Sequence, residues 1–284
     1  MTKNKRLLRR KAVRILSNLY AVLIYSIFYI PVAVMILFSF NDAKRNYYWQ
    51  GFTTEWYGKL FSFANTDLWD ALLYSLIIAV LATLISVTIG VLGGIGLKKF
   101  EFRTKRFINM MIYVPIIVPE IVLAVAMLII FMTVGIRLGM GTILIGHCTF
   151  CIPYAVVTIK GRITGDSETL QEASMDLGAN RFQTFWRVTV PSIMPGILSS
   201  AFLAFTLSID DVVMSNMLAG PSQSTLPVLI LSLNRTGITP DVNALTTVMV
   251  AGMLALNGVQ RYLKKRENRL AAEAEAKRSS AHAA

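Results

Sequence analysis

Charge is what this chain has least of. Only 15% of its 284 residues are Asp, Glu, Lys or Arg and 55% are hydrophobic, whereas soluble domains carry about 25% charged residues. With a mean hydropathy of +0.57, the deficit excludes an ordinary soluble domain and points to a membrane protein. No G-x-x-x-x-G-K-[ST] occurs, so the chain has no P-loop with which to bind ATP itself. Nor is there a basic surface interleaved with aromatics for binding bases. The net charge of +12 gathers at the two ends and beside apolar runs, as in the flanks of membrane spans, and a nucleic-acid partner is not expected. A cleavable signal peptide is not expected either. The apolar stretch behind "MTKNKRLLRRKAVR" is too long for a signal h-region and has no small-residue cleavage site.

Long apolar runs are what the chain does have. A hydrocarbon core about 30 Å thick needs roughly 20 apolar residues in a helix. Six stretches qualify: Leu19–Phe40, Ala71–Leu97, Phe107–Val134, Met140–Ile159, Ile193–Leu218 and Asn243–Leu263, the last with an apolar core that ends near Leu256. The expectation is an all-α polytopic membrane protein with six transmembrane helices. Its parts would be a basic N-terminus over 1–18, a transmembrane domain over 19–263 and a charged tail over 264–284. Of the 28 basic residues, 23 fall on the side of the N-terminus if the spans alternate, and only Lys44, Arg45, Lys59, Arg137 and Arg235 fall on the other. Both termini are therefore expected to be cytoplasmic.

Three motifs have structural readings. The outer loop 41–70 is dense in Tyr and Trp, which suits an aromatic belt at the membrane interface or, alternatively, a docking surface. Gly90 and Gly94 stand at GxxxG spacing in "GVLGGIGL" and predict close contact with a neighbouring helix. "HCTFC" places Cys148 and Cys151 three positions apart in C-x-x-C form beside His147. Within a membrane helix this reads as buried small thiols, since no second cysteine pair exists to complete a zinc site, and no metal is expected.

The fifth apolar run contains an energetic anomaly. In "FTLSIDDVVMSNML" two aspartates sit side by side, and each Asp at a helix centre costs about 2.5–3.5 kcal/mol on the insertion scale. Asp210 lies about 25 Å along its span at 1.5 Å per residue, and Glu120 about 20 Å along the third span, near Pro115 and Pro119. Carboxylates at that depth are functional candidates, and Glu120, Asp210 and Asp211 could line a cation path. Adjacent helical residues diverge by about 100°, so the two aspartates cannot share a face. One would face the path and the other a partner helix or a broken turn. Ser208, Asp211 and Ser215 form a separate i, i+3, i+7 stripe.

The loop over 160–192 does not belong to a mere anchor. Ser167–Leu177 reads as a short amphipathic helix with Leu170, Ala173, Ser174 and Leu177 on one face and Glu168, Glu172 and Asp176 on another. Gly178 supplies a left-handed stop. A second piece, Arg181–Val190, carries Phe182, Phe185 and Trp186 and is expected to stop before Pro191. Exposed apolar faces of this kind mark a partner surface. Glu172-Ala173-Ser174, then Gly178, then Val188-x-Val190-Pro191 resembles the signature of permease subunits of bacterial ABC importers. "SFN", "WQGFTTEWY", "HCTFCIPYAVV", "EASMDLGA", "FTLSIDDVV", "TLPVLILS" and "ITPDVNAL" look in particular like the spermidine/putrescine (PotC-type) permease family. They are spread from Ser39 to Leu245.

The resemblance implies the type I ABC importer permease fold in a bacterial inner (cytoplasmic) membrane. It implies that Glu172, Ala173, Asp176 and Gly178 belong to a coupling helix seated on an ATP-binding subunit. The implied partners are two copies of that subunit, a second related permease and an extracytoplasmic polyamine-binding protein. The implied role is half of an ATP-driven polyamine pathway, with no catalytic residue and no cofactor on this chain, ATP and Mg²⁺ being used by the partner ATPase. The rival readings are a permease for another small solute, an ion-coupled secondary transporter, and a membrane thiol oxidoreductase built on Cys148 and Cys151.

Overall fold

A computed structural model describes residues 2–44, 48–62, 66–163, 165–221, 224–236, 239–252, 254, 255 and 258. Among them the chain is helical, and its only β pairing is an isolated antiparallel bridge between Asn41 and Phe52. Two units are distinguished, Thr66–Ser232 and a second made of Met1–Asn65 with Leu233–Ala284.

In the second unit, α1 (Thr2–Phe38) is a single long helix. From Val13 to Leu37 most of its large apolar side chains are exposed, as expected of a helix whose surroundings are lipid. At its end Asn41 organises the loop that follows. Its Nδ2 donates to the Tyr48 carbonyl (2.8 Å), its Oδ1 accepts from the Gln50 amide (2.9 Å), and its carbonyl accepts from Trp56 Nε1 (2.8 Å). Phe40 packs against Phe52 and Tyr57, with ring centroids 5.3 and 5.0 Å away. The short α2 (Glu55–Phe61) follows. In the same unit residues 240–252 are helical. Most of the expected sixth span beyond that point, and all of the tail 264–284, lie outside the described residues, as does Arg45.

The larger unit is built on α3 (Thr66–Lys99), α6 (Met140–Lys160) and α9 (Val190–Ile209), which pack on one another. The GxxxG expectation holds. A Cβ on Gly90 would lie 2.7 Å from Ala155 Cβ, and one on Gly94 would lie 3.3 Å from Ile159 Cγ2. The missing side chains let α3 and α6 touch backbone to side chain. Around this seam the buried core includes Ile78, Phe131, Ile143, Phe150, Ala204 and Met214.

Two expected spans are not continuous helices. Phe107–Val134 is divided into α4 (Lys105–Ile117) and α5 (Glu120–Val134), which meet at 107°. The cause is local: Pro119 disfavours the helical region for the residue before it, and Val118 is extended at φ −69°, ψ 132°. Ile193–Leu218 is divided into α9, ending at Ile209, and α10 (Val213–Leu218). Among the described residues four helices are long and apolar enough to cross a membrane, and five if the bent pair α4/α5 is counted as one span.

The 160–192 segment forms α7 (Gly165–Asp176) and α8 (Arg181–Thr184), followed by a π-helical turn over Phe185–Thr189 that runs directly into α9. Gly178 has φ +90°. Its amide donates to Met175 O (2.9 Å) and the Ala179 amide to Ser174 O (3.1 Å), the paired bonds of a Schellman stop. Asn180 and Gln183 then cap α8 reciprocally. The expected stop before Pro191 is not there. The helix runs on through Pro191, and the π turn just before it, with the Val190 amide bonded to Phe185 O, makes room for a residue that has no N–H. The unit ends at Ser232 within α11 (Leu226–Thr236), whose Leu226 amide donates to Ser75 Oγ of α3 at 2.8 Å.

Candidate functional site

Both breaks open onto one cavity of about 460 Å³. Its polar lining is Glu120, Asp210, Asp211 and Tyr154, and its apolar walls include Pro115, Ile116, Leu123, Phe150, Leu207 and Val213. Glu120 is the first residue of α5, set there by the bend at Pro119. Asp210 ends α9, and Asp211 follows in the break. All three acids singled out in the sequence therefore come together, from elements 90 residues apart along the chain.

The pair of aspartates is split. Glu120 and Asp210 are exposed, whereas Asp211 is only 6% exposed. Asp211 caps α10: its Oδ1 accepts from the Met214 amide (3.2 Å) and its Oδ2 from the Ser215 amide (2.7 Å). Oδ2 also lies 3.0 Å from Nε2 of His147 on α6. His147 Nδ1 is 2.6 Å from Ser208 Oγ at the end of α9, and Nε2 is 3.1 Å from Ser215 Oγ in α10. One tautomer satisfies this set, with Nε2–H donating to Asp211 and the Ser208 hydroxyl donating to Nδ1. Glu120 and Asp211 both line this cavity, and carboxyls that share a site repel when both are charged, which favours a cation beside them.

His147 is the residue the sequence reading passed over, noting it only as a neighbour of the cysteines. Two signals were available: an imidazole within an apolar helix, and the Ser208, Asp211, Ser215 stripe with no partner of its own. Cys148 and Cys151 are buried free thiols, and Cys151 Sγ donates to Ala204 O at 3.6 Å. Among the described residues no group of three His, Cys, Asp or Glu side chains could hold a metal.

The other residues singled out lie far along the chain from this cavity. Glu172, Ala173 and Asp176 are exposed on α7 and Gly178 ends it. The side chain of Glu168 lies outside the described residues. Leu177 is 89% exposed and Phe182 73%, with Trp186 against Phe182 and Phe185 at centroid distances of 6.4 and 5.3 Å. The result is an apolar, aromatic knob edged by acids. Ser174 Oγ, 3.2 Å from Thr184 Oγ1, ties α7 to α8, and α7 also packs on the π turn that leads into α9.

A helical membrane unit with broken spans and an exposed helix–Gly–helix knob defines a transport permease. The chain belongs to the family of binding-protein-dependent transport system inner membrane components, whose model matches residues 86–269. It is 38% identical to the spermidine/putrescine transport system permease protein PotC of Haemophilus influenzae, over 89% of this chain and 98% of that one. Against PotC of Escherichia coli K12 it is 39% identical over 86% of this chain and 91% of the other. Against the putrescine transport system permease protein PotI of the same strain it is 33% identical, over 85% and 88%. Among solved structures, the fold matches a chain of a bacterial ABC transporter involved in the import of the acidic polysaccharide alginate. That match has a TM-score of 0.66 at 16% identity and covers 92% of this chain and 98% of that one. A chain of the MetNI methionine ABC transporter matches with a TM-score of 0.53 at 17% identity, over 69% and 92%. The chain is thus a membrane permease subunit of an ABC importer and not an enzyme. Its family works with a separate ATPase, a second permease and a binding protein.

Proposed function

We propose that this chain forms half of an ATP-driven pathway for polyamines across a bacterial inner membrane. The observation that carries this reading is the cavity in which Glu120, Asp210 and Asp211 meet apolar and aromatic walls. Polyamines are flexible chains of ammonium groups separated by methylenes, and carboxylates set between apolar walls match that chemistry. The names of the relatives at 33–39% identity point to the same cargo.

In the complete subunit six helices cross the membrane, with the basic residues of both termini and the 160–192 loop on the cytoplasmic side. The assembly holds a second permease, two ATP-binding subunits and an extracytoplasmic binding protein that delivers the cargo. Glu172, Ala173, Asp176 and Gly178 shape the knob that sits on an ATPase subunit, which uses ATP and Mg²⁺ while this chain holds no cofactor. When the ATPase pair closes, α7 moves with it. The π turn and α9 carry the displacement to the break at Asp210.

The test is uptake of radiolabelled spermidine into proteoliposomes containing the whole complex and the loaded binding protein. Uptake should require internal ATP and stop with a Glu172→Ala variant that retains the cavity. Uptake driven by an ion gradient without ATP would overturn the reading.

A further inference from the structure

The cavity presents three carboxylates, but they are not equivalent, and one residue outside the proposed pathway set accounts for the difference. Asp211 accepts two backbone amides and the His147 N–H and is only 6% exposed. A carboxylate has about four acceptor positions, so three are filled from within the protein and little of the group is open to an ammonium. Asp210, one residue earlier, is exposed to the cavity and ends α9. His147 spans the break: Nδ1 meets Ser208 on the α9 side, and Nε2 meets Asp211 and Ser215 on the α10 side. The imidazole is 1% exposed and does not line the cavity.

We propose that His147 is a positioning residue of the pathway: it holds Asp211 as the cap of the broken fifth span, leaving Asp210 and Glu120 to meet the ammonium groups of the cargo. The proposal rests on the polyamine reading. Without the imidazole, the Asp211 carboxylate is free to turn into the cavity and the end of α9 loses its tie to α10.

The experiment replaces the imidazole by side chains that keep different parts of it. In His147→Gln the amide nitrogen reaches the place of Nε2 and keeps the bond to Asp211. In His147→Asn the nitrogen stands near Nδ1 and the Asp211 bond is lost. His147→Met has the reach of Gln but no N–H. Each variant is purified in the whole complex and reconstituted with spermidine-loaded binding protein, and both uptake and stimulated ATPase activity are measured. His147→Gln should keep uptake within about threefold of the parent. Both Asn and Met should lose about tenfold or more, the scale of one hydrogen bond to a charged group. Copurification of the ATPase should be retained in all three.

Equal uptake by Met and Gln would reduce His147 to packing and overturn the assignment. Loss of ATPase copurification in all three would make it a folding residue and overturn it equally. Failure of the parent complex to import spermidine would instead remove the cargo reading. The two failures are distinct, because the ranking of the variants is also read in the ATPase.

Discussion

The two broken spans reach the same cavity by opposite means. At the α4/α5 break the bend of 107° is written into the backbone by Pro119, and no side-chain cap is made there. At the α9/α10 break no proline stands near. The helix stops at Ile209 because Asp211 captures the amides of Met214 and Ser215 and is itself held by His147 from another helix. The first break is local and depends on one residue. The second is a network among residues 61 to 68 positions apart and depends on all of its members. Backbone amides freed inside a membrane must find partners within the protein, so the break without proline needed a buried carboxylate to satisfy them.

That contrast can be broken at either end. The largest effect is expected at the network. Asp211→Ala orphans two amides and the imidazole at once, at a cost of about 1–3 kcal/mol for each buried group left unsatisfied. Uptake should fall to background and the melting temperature of the purified complex should drop. Pro119→Ala is expected to do less. It frees Val118 to adopt helical dihedrals and relaxes the angle that presents Glu120. Spermidine uptake should fall by roughly threefold to tenfold with the complex intact, since the residue makes no tertiary hydrogen bond to lose. The smallest effect is expected from Cys148→Ala combined with Cys151→Ala. Both thiols are buried and free, and uptake should stay within about twofold of the parent because only small apolar volume is removed. A larger loss would return attention to thiol chemistry.

The difference between the breaks also explains what was legible in the sequence. Gly90 and Gly94 and the Gly178 stop are decided by neighbours within a few positions or by one type of contact, and each stood where its spacing put it. The helical character of the spans followed from their length and apolarity. The bend at Pro119 was foreshadowed by the proline but not its angle, which depends on how α5 packs on α10. Pro191 misled, because a π turn before a proline lets the helix run on through it. A broken turn at one aspartate was among the alternatives the sequence offered, and Asp211 makes it, but the role of His147 was hidden for a different reason. The stripe of Ser208, Asp211 and Ser215 announced a polar contact, but nothing within α9 or α10 says which helix supplies the partner.

The central claim is that the two breaks exist to bring carboxylates of separate spans to one cation path. It is tested most directly by removing charge while keeping shape. Glu120→Gln, Asp210→Asn and the double variant are reconstituted in the whole complex and assayed for ATP-driven spermidine uptake alongside ATPase copurification. The expected result is a loss of about tenfold or more in each single variant, near-complete loss in the double, and unchanged copurification, because a charge-assisted contact to ammonium is removed without disturbing the knob on α7. Undiminished uptake in the double variant would contradict the claim.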